Sequence, residues 1–274
     1  MADSLLDKAA RKPRRIYEYM RHIENWHTVM LDWSGFVHQP YVLRMRNGVR
    51  FLIRPGIIDF GSIYEVFIED CYKLRSLNRI MPGDVAVDIG ANIGAFSAAA
   101  LKAGASVHAF EPQPETFKAL KANLGLQQNG RWKAHQSAVG SKKGTATLYF
   151  GKSPVLATLH RGLFPADNTD SVVVEMTTLQ DIVSAMPGQR IDVLKMDCEG
   201  AEFDILENAP DSVFPRIGRI ILEFHEFDGH TGAQLAMFLR GKGYTVELNR
   251  RGGNFGMMYA WKAAPAGGAP KQTI

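Results

Sequence analysis

Residues 85–97 read VAVDIGANIGAFS. The run Val85–Ile89 is apolar enough for a strand buried on both faces, with one carboxylate, Asp88, near its end. It breaks at Gly90. After Gly94 comes a stretch of small residues, Ala95–Lys102, whose composition suits a helix packed close to a sheet. The two glycines allow a tight turn and let a ligand approach the backbone, and the start of the helix presents free N–H groups. Strand, glycine turn and helix in this order predict the first unit of an open α/β sheet with a nucleotide-type loop.

Downstream the alternation continues. Ser106–Phe110, Trp132–Val139, Ile191–Met196 and Arg219–Phe224 have strand patterns, whereas Pro114–Leu126, Leu179–Ala185, Ala201–Glu207 and Gly232–Gly241 have helical ones. Residues 145–150 and 171–177 add strands around a loop, and Tyr244–Leu248 with Met257–Trp261 form a closing pair. The expected architecture is Rossmann-like: a mostly parallel sheet with helices on both faces, its ligand beyond the carboxyl ends of the strands. Upstream, a helix is expected over Ser62–Leu77 and a β-hairpin over 41–54, where alternating runs flank Asn47–Gly48. Residues 1–30 read as helical, with a basic run at Arg11, Lys12, Arg14 and Arg15. The chain thus divides into a helix-and-hairpin extension (1–60), a sheet domain (61–262) and a disordered tail (263–274).

Two cofactor classes use such a glycine loop. A dinucleotide loop wants Gly-x-Gly-x-x-Gly, and from Gly90 that needs glycine where the chain has Asn92 and Ala95. Asp88, just before the turn, would sit poorly against a pyrophosphate. It suits a cationic ligand with a free amine, which describes S-adenosylmethionine (SAM). Glu111, at the end of the second strand, is placed to accept hydrogen bonds from both ribose hydroxyls and so supports an adenosine ligand of either class. Ser137–Ala138 closes the third strand, where a short polar side chain suits the edge of an adenine. An NAD-dependent oxidoreductase and a non-catalytic SAM- or nucleotide-binding module are the alternative readings of this loop.

With these residues in place, the chain resembles the FkbM family of SAM-dependent methyltransferases. The matching pieces are VDIGANIGAFS (87–97), FEP (110–112), SAVG (137–140), DVLKMDCEGAE (192–202) and ILEFH (221–225), in the family's order. The resemblance implies a class I methyltransferase fold with a seven-stranded sheet. It also implies methyl transfer from SAM to a hydroxyl on a sugar or glycan, a polyketide or another secondary metabolite, and places Glu65 near the cofactor. The expected cofactor set is then Glu65, Asp88, Gly90, Asn92, Gly94, Glu111, Ser137, Ala138 and Asp197.

Lys195 and Asp197 stand two apart on one strand and share a face, as do Glu223 and His225 on the next; Glu199 and Glu202 follow Asp197. If the strands are adjacent, these groups converge at one sheet edge. Methyl transfer to a hydroxyl asks for in-line placement and a base. His225 is the first candidate for that base and Asp197 the second; Lys195 keeps Asp197 ionised or stabilises a developing alkoxide. A rival arrangement has Asp197, Glu199, Glu223 and His225 ligating a divalent cation; a side-chain base suffices, and no metal is predicted.

The bulk numbers fit an ordinary globular enzyme: 274 residues, 46% hydrophobic, 22% charged, net charge +4. Cys71 and Cys198 show neither metal-ligand spacing nor a disulfide framework. No apolar run approaches the ~20 residues that span a bilayer, and no secretory signal opens the chain, so the expected location is the cytoplasm. Asn208–Asp211 reads as a helix-ending turn. The segment RRGGNFG (250–256) reads as a hairpin loop beside the substrate mouth; it lacks an interleaved aromatic platform, and no nucleic-acid partner is expected.

Overall fold

A computed structural model describes residues 5–57, 59–128, 130–151, 157–160, 169–186, 188 and 190–262; the tail expected over 263–274 lies outside them. The chain opens with α1 (Leu5–His22), α2 (Trp26–Trp33), β1 (Tyr41–Arg44), β2 (Arg50–Ile53) and α3 (Asp59–Tyr64), which runs on into a π-helical turn, Glu65–Glu69. Then come β3 (Val85–Ile89), α4 (Ala95–Lys102), β4 (Ser106–Phe110), α5 (Pro114–Gly125) and β5 (Arg131–His135). A small excursion follows: β6 (Ala138–Gly140), β7 (Gly144–Phe150), β8 (Asp170–Thr178) and α6 (Leu179–Ser184). The last part is β9 (Ile191–Met196), α7 (Glu202–Glu207), β10 (Ile217–His225), α8 (Gly232–Gly241), β11 (Thr245–Gly252) and β12 (Phe255–Trp261).

Seven strands form the main sheet in the order β11-β12-β10-β9-β3-β4-β5. The pairs from β10 through β9, β3 and β4 to β5 are parallel, and β12 runs against both its neighbours. This is the mostly parallel α/β sheet read from the sequence. Alternate residues serve opposite faces: Ala86, Val107, Val193 and Ile221 pack with α4 and α5, whereas Val87, Leu194, Ile220 and Leu222 pack with α6, α7 and α8. From β3 the chain winds outward to β4 and β5, then returns to the other side of β3 as β9. The strand order reverses there, and the crevice forms at the carboxyl ends of the strands.

Three expectations are corrected. The helix foreseen over Ser62–Leu77 ends at Glu69: Asp70 turns into the left-handed region (φ 54°) and its carboxylate accepts the N–H of Leu74 at 2.7 Å. The strand foreseen over Trp132–Val139 is two strands. Arg131–His135 pairs with β4, whereas Ala138–Gly140 pairs with β8 in a second, three-stranded sheet β6-β8-β7. The N-terminal helix is α1 and α2, broken at Asn25, whose side chain instead bonds the backbone of Val42 and Arg44. The 41–54 hairpin forms as read, with Gly48 at φ 88°. Tyr19 of α1, Val29 of α2 and Ile23 between them, with Leu43 and Phe51 from the hairpin, lie in the same apolar core as α4 and α5. No helix among the described residues is long and apolar enough to cross a membrane.

Candidate active site

The crevice between β3 and β9 holds a cleft of ≈ 280 Å³. Gly90, Ala91 and Asn92 of the glycine loop line it, whereas Gly94, expected at the cofactor, does not and packs against Leu120 of α5. Gly90 (φ 69°) and Gly94 (φ 92°) take conformations that side chains disfavour, and a Cβ on Gly90 would fall 1.8 Å from the carbonyl oxygen of Asp197. The loop after β3 thus lies directly against the loop after β9, a contact fixed by the Asp197 N–H donating to Ile89 O at 3.1 Å. Asn92 is also left-handed (φ 51°), and its N–H donates to Glu111 Oε2 at 2.9 Å.

Glu111 lies in the cleft wall and is almost wholly buried; the N–H of Gln113 binds its other oxygen at 2.9 Å. Burial pushes its pKa up to about 7, against the pull of these two N–H donors. Among the buried polar atoms of cleft-lining residues that have no hydrogen-bond partner among the described residues are Asn92 Oδ1 and Thr116 Oγ1. Ser137 and Ala138 line the wall formed with the small sheet, beside Val139, Leu148 and Leu159.

Asp88 departs from its expected place. It is fully buried behind the loop and is not among the residues lining the cleft. Ser97 Oγ donates to its Oδ2 at 2.7 Å, and Lys195 Nζ stands 3.2 Å from its Oδ1. The cause is register: Asp88 and Lys195 are direct partners across β3 and β9. Lys195 also donates to Gly90 O at 2.7 Å and stands 3.9 Å from Asp197 Oδ2. Burial alone would lower the Lys195 pKa, but the charges of Asp88 and Asp197 outweigh it and the ammonium is retained. Lys195 therefore ties the loop, the buried carboxylate and the cleft-facing Asp197 together.

The far end of the cleft is acidic, lined by Glu65, Asp197, Glu199 and Glu223. Burial and the charge of Asp197 raise the pKa of Glu199, and the same two causes bring Glu223 to about 8. Glu65 is exposed as a residue, yet desolvation of its carboxylate and the Asp197 charge raise its pKa as well. Tyr72, which no sequence pattern signals, donates its hydroxyl to Asp197 Oδ2 at 3.1 Å from a position 125 residues away in the chain. Burial, then the charge of Asp197, holds its pKa well above the usual range, so it stays a donor. Glu202 lies outside the cleft lining, buried, where it accepts the N–H groups of Cys198 and Gly200 at 2.8 and 3.0 Å and shapes the turn.

His225 also departs from its expected place. Its Nε2 lies 3.1 Å from Glu199 Oε2 and 3.9 Å from Glu223 Oε1, but the ring does not line the cleft. Its ring lies nearly parallel to Phe255 at 6.3 Å, and it meets the site through the two glutamates. Among the described residues no three His, Cys, Asp or Glu side chains are grouped so as to hold one metal ion, so the set Asp197, Glu199, Glu223 and His225 is not assembled as a cation cage.

A family model, the methyltransferase FkbM domain, matches residues 88–246. The 31-O-demethyl-FK506 methyltransferase FkbM of Streptomyces tacrolimicus is 34% identical over 235 residues, 74% of this chain and 88% of that protein. Methyltransferase 1 of Beauveria bassiana is 28% identical, covering 68% of this chain and 81% of that protein. The hexuronic acid methyltransferase AglP of Haloferax volcanii is 26% identical, covering 71% and 80%.

Proposed function

The chain belongs to the FkbM methyltransferase family, and from that premise we propose that it transfers the methyl group of SAM to a hydroxyl on a sugar, glycan or secondary metabolite. The observation that carries the cofactor reading is the polar lining of the cleft. Glu111 presents a carboxylate to it, and Asn92 Oδ1 and Thr116 Oγ1 stand beside it unpartnered. Ribose hydroxyls and an adenine edge answer that set. Asn92, Glu111 and Thr116 would hold the nucleoside, with Ser137 and Ala138 against the base. Glu65 and Asp197 would face the ammonium of the amino acid end, the task first read into Asp88. SAM supplies there a methyl group already activated by its sulfonium.

The remaining work falls to this chain's own side chains. Asp197, held by Tyr72 and Lys195, is an oriented acceptor at the cleft wall. Glu223 is the group we assign to the proton: it lines the cleft, and a carboxylate with a pKa near 8 is a stronger base than an ordinary one. His225 backs Glu199 and Glu223 rather than meeting the acceptor. The names of the relatives, a 31-O-demethyl acceptor and a hexuronic acid, support oxygen as the methylated atom and a hydroxylated acceptor.

Calorimetric titration tests the cofactor reading. SAM binds with a dissociation constant in the micromolar range, and Glu111→Ala weakens it at least about tenfold, the loss expected for a charge-assisted hydrogen bond. In the wild type, affinity rises with pH through about 7, since the ionised Glu111 accepts the ribose hydroxyls better. Heat with NAD and none with SAM would overturn the reading.

A further inference from the structure

β10 and β11 are each antiparallel to β12 and so run parallel to one another. The end of β11 therefore arrives at the sheet edge that carries Asp197 and Glu223. There the β11–β12 ladder passes from Arg250↔Gly256 to Gly252↔Phe255, leaving Arg251 outside the pairing. Irregularities of this kind re-aim side chains beside active sites. The hairpin tip is tied down on both sides of Arg251. Arg250 Nη2 donates to Glu226 Oε1 at 2.6 Å, and Asn254 Nδ2 donates to Glu226 O at 3.1 Å. Gly252 and Gly253 make the turn at φ 110° and 62°.

Arg251 itself is exposed, and unlike Arg250 it makes no ion pair among the described residues. Its charge nevertheless reaches the acidic end of the cleft, where it opposes the burial that raises the pKa of Glu65 and Glu223. The cation in the cleft wall, Lys195, is buried and occupied by Gly90 O and Asp88. The cleft is otherwise lined by five carboxyl groups, those of Glu65, Glu111, Asp197, Glu199 and Glu223. An acceptor carrying an anionic group finds no unoccupied cation among these lining residues, whereas Arg251 is exposed at the same sheet edge. We propose that Arg251 is a specificity-determining residue that receives a carboxylate or phosphate on the hydroxylated acceptor at the rim of the cleft while the acceptor hydroxyl points inward. The planar guanidinium fork matches either anion with two parallel hydrogen bonds. The proposal rests on the reading of this cleft as the methyl-transfer site.

Binding of small probes to the cofactor-free full chain tests it without turnover. Methyl glucuronide, glucose 6-phosphate and methyl glucoside are titrated by calorimetry and saturation-transfer NMR into the wild type and into Arg251→Gln, Arg251→Lys and Arg251→Glu, each checked for native melting. At least one anionic probe binds the wild type about tenfold or more tighter than the neutral glycoside. Arg251→Gln removes that preference, Arg251→Lys retains part of it, and Arg251→Glu reverses it. A preference for only one of the two anions identifies the source as a uronate-like or a phosphorylated acceptor. Equal binding of all three probes, binding of none, or a preference that survives Arg251→Gln overturns the proposal. SAM titration of the same proteins reads the cofactor site separately: loss of SAM binding with the anion preference intact counts against the cofactor reading and not against Arg251.

Discussion

At the scale of single residues, Glu223 and His225 divide a role that the spacing of the sequence assigned to the histidine. Both stand near the end of β10 on one face, but only Glu223 reaches the cleft. Replacing Glu223 by glutamine keeps the shape and removes the base. The expected result is a SAM affinity within a few-fold of wild type and methyl transfer slowed by about 10²–10⁴, the range for loss of a general base. In the wild type, activity rises toward pH 8 as Glu223 ionises, and the variant loses that rise. Unimpaired turnover by Glu223→Gln would remove it from the mechanism. The sequence named Glu111, Lys195, Asp197 and Glu223 because each lies at a strand end, where alternation and chain order fix the face. It misread Asp88 because its surroundings depend on the register of β3 against β9, which no local pattern encodes. Tyr72 and Thr116 went unseen for a related reason: one reaches Asp197 from a loop beyond the π-helical turn, the other sits in the first turn of α5, and neither position carries a local signal of a ligand.

At the scale of elements, the unit β3–loop–α4 depends on one missing methyl group. The Cβ of an alanine at Gly90 would meet the backbone of Asp197, which cannot withdraw without breaking its own bond to Ile89. Gly90→Ala is therefore expected to force β3 and β9 apart at the site, lowering the melting temperature and abolishing SAM binding. Gly48→Ala is the control. It shares a positive φ but has only the Lys102 ammonium within 4 Å, at 3.9 Å, so it costs just the left-handed backbone penalty of roughly 1–2 kcal/mol. Wild-type melting and SAM affinity in Gly90→Ala would show that the close approach is not required. Strands and helices of the main sheet were legible because their apolar runs are set by burial on known faces. The misread boundaries share a different cause. Beyond Glu69 the helical period continues, yet the N–H of Cys71 bonds back to Glu65 O and Asp70 captures the next N–H groups. After His135 the residues still look extended, but their partner changes from β4 to β8. Periodicity reports extension and burial, not which strand lies alongside.

At the scale of the whole molecule, two properties follow from where charge and apolar surface are buried. Glu111 and Glu223 have folded pKa values near 7 and 8, and those of Glu65, Glu199 and Glu202 are also raised. Through these five carboxyl groups the native state holds more protons than the unfolded chain above about pH 4.5, and they outnumber His108 and His135, whose lowered pKa values act the other way, so stability falls as pH rises through 7–8. Urea midpoints of the cofactor-free protein should fall between pH 5.5 and 8.5, and a midpoint that climbs over that range would contradict the assignment. The second property concerns the first 35 residues, part of the 1–60 segment that the sequence set apart as an extension. Tyr19, Ile23 and Val29 are almost wholly buried, and Tyr19 meets the ring of Phe60 edge-on at 5.3 Å. Each such side chain contributes roughly 1.5–3 kcal/mol on burial. Together they approach the whole stability of a typical domain, about 5–15 kcal/mol. Their removal also uncovers Phe60 and Ile63, directly before the turn that carries Glu65. We therefore expect a chain beginning at residue 36 to lose cooperative unfolding by calorimetry and, with it, SAM binding. A truncated chain that melts cooperatively and binds SAM like the full one would mean that the extension is an appendage after all, and that the site stands on the sheet domain alone.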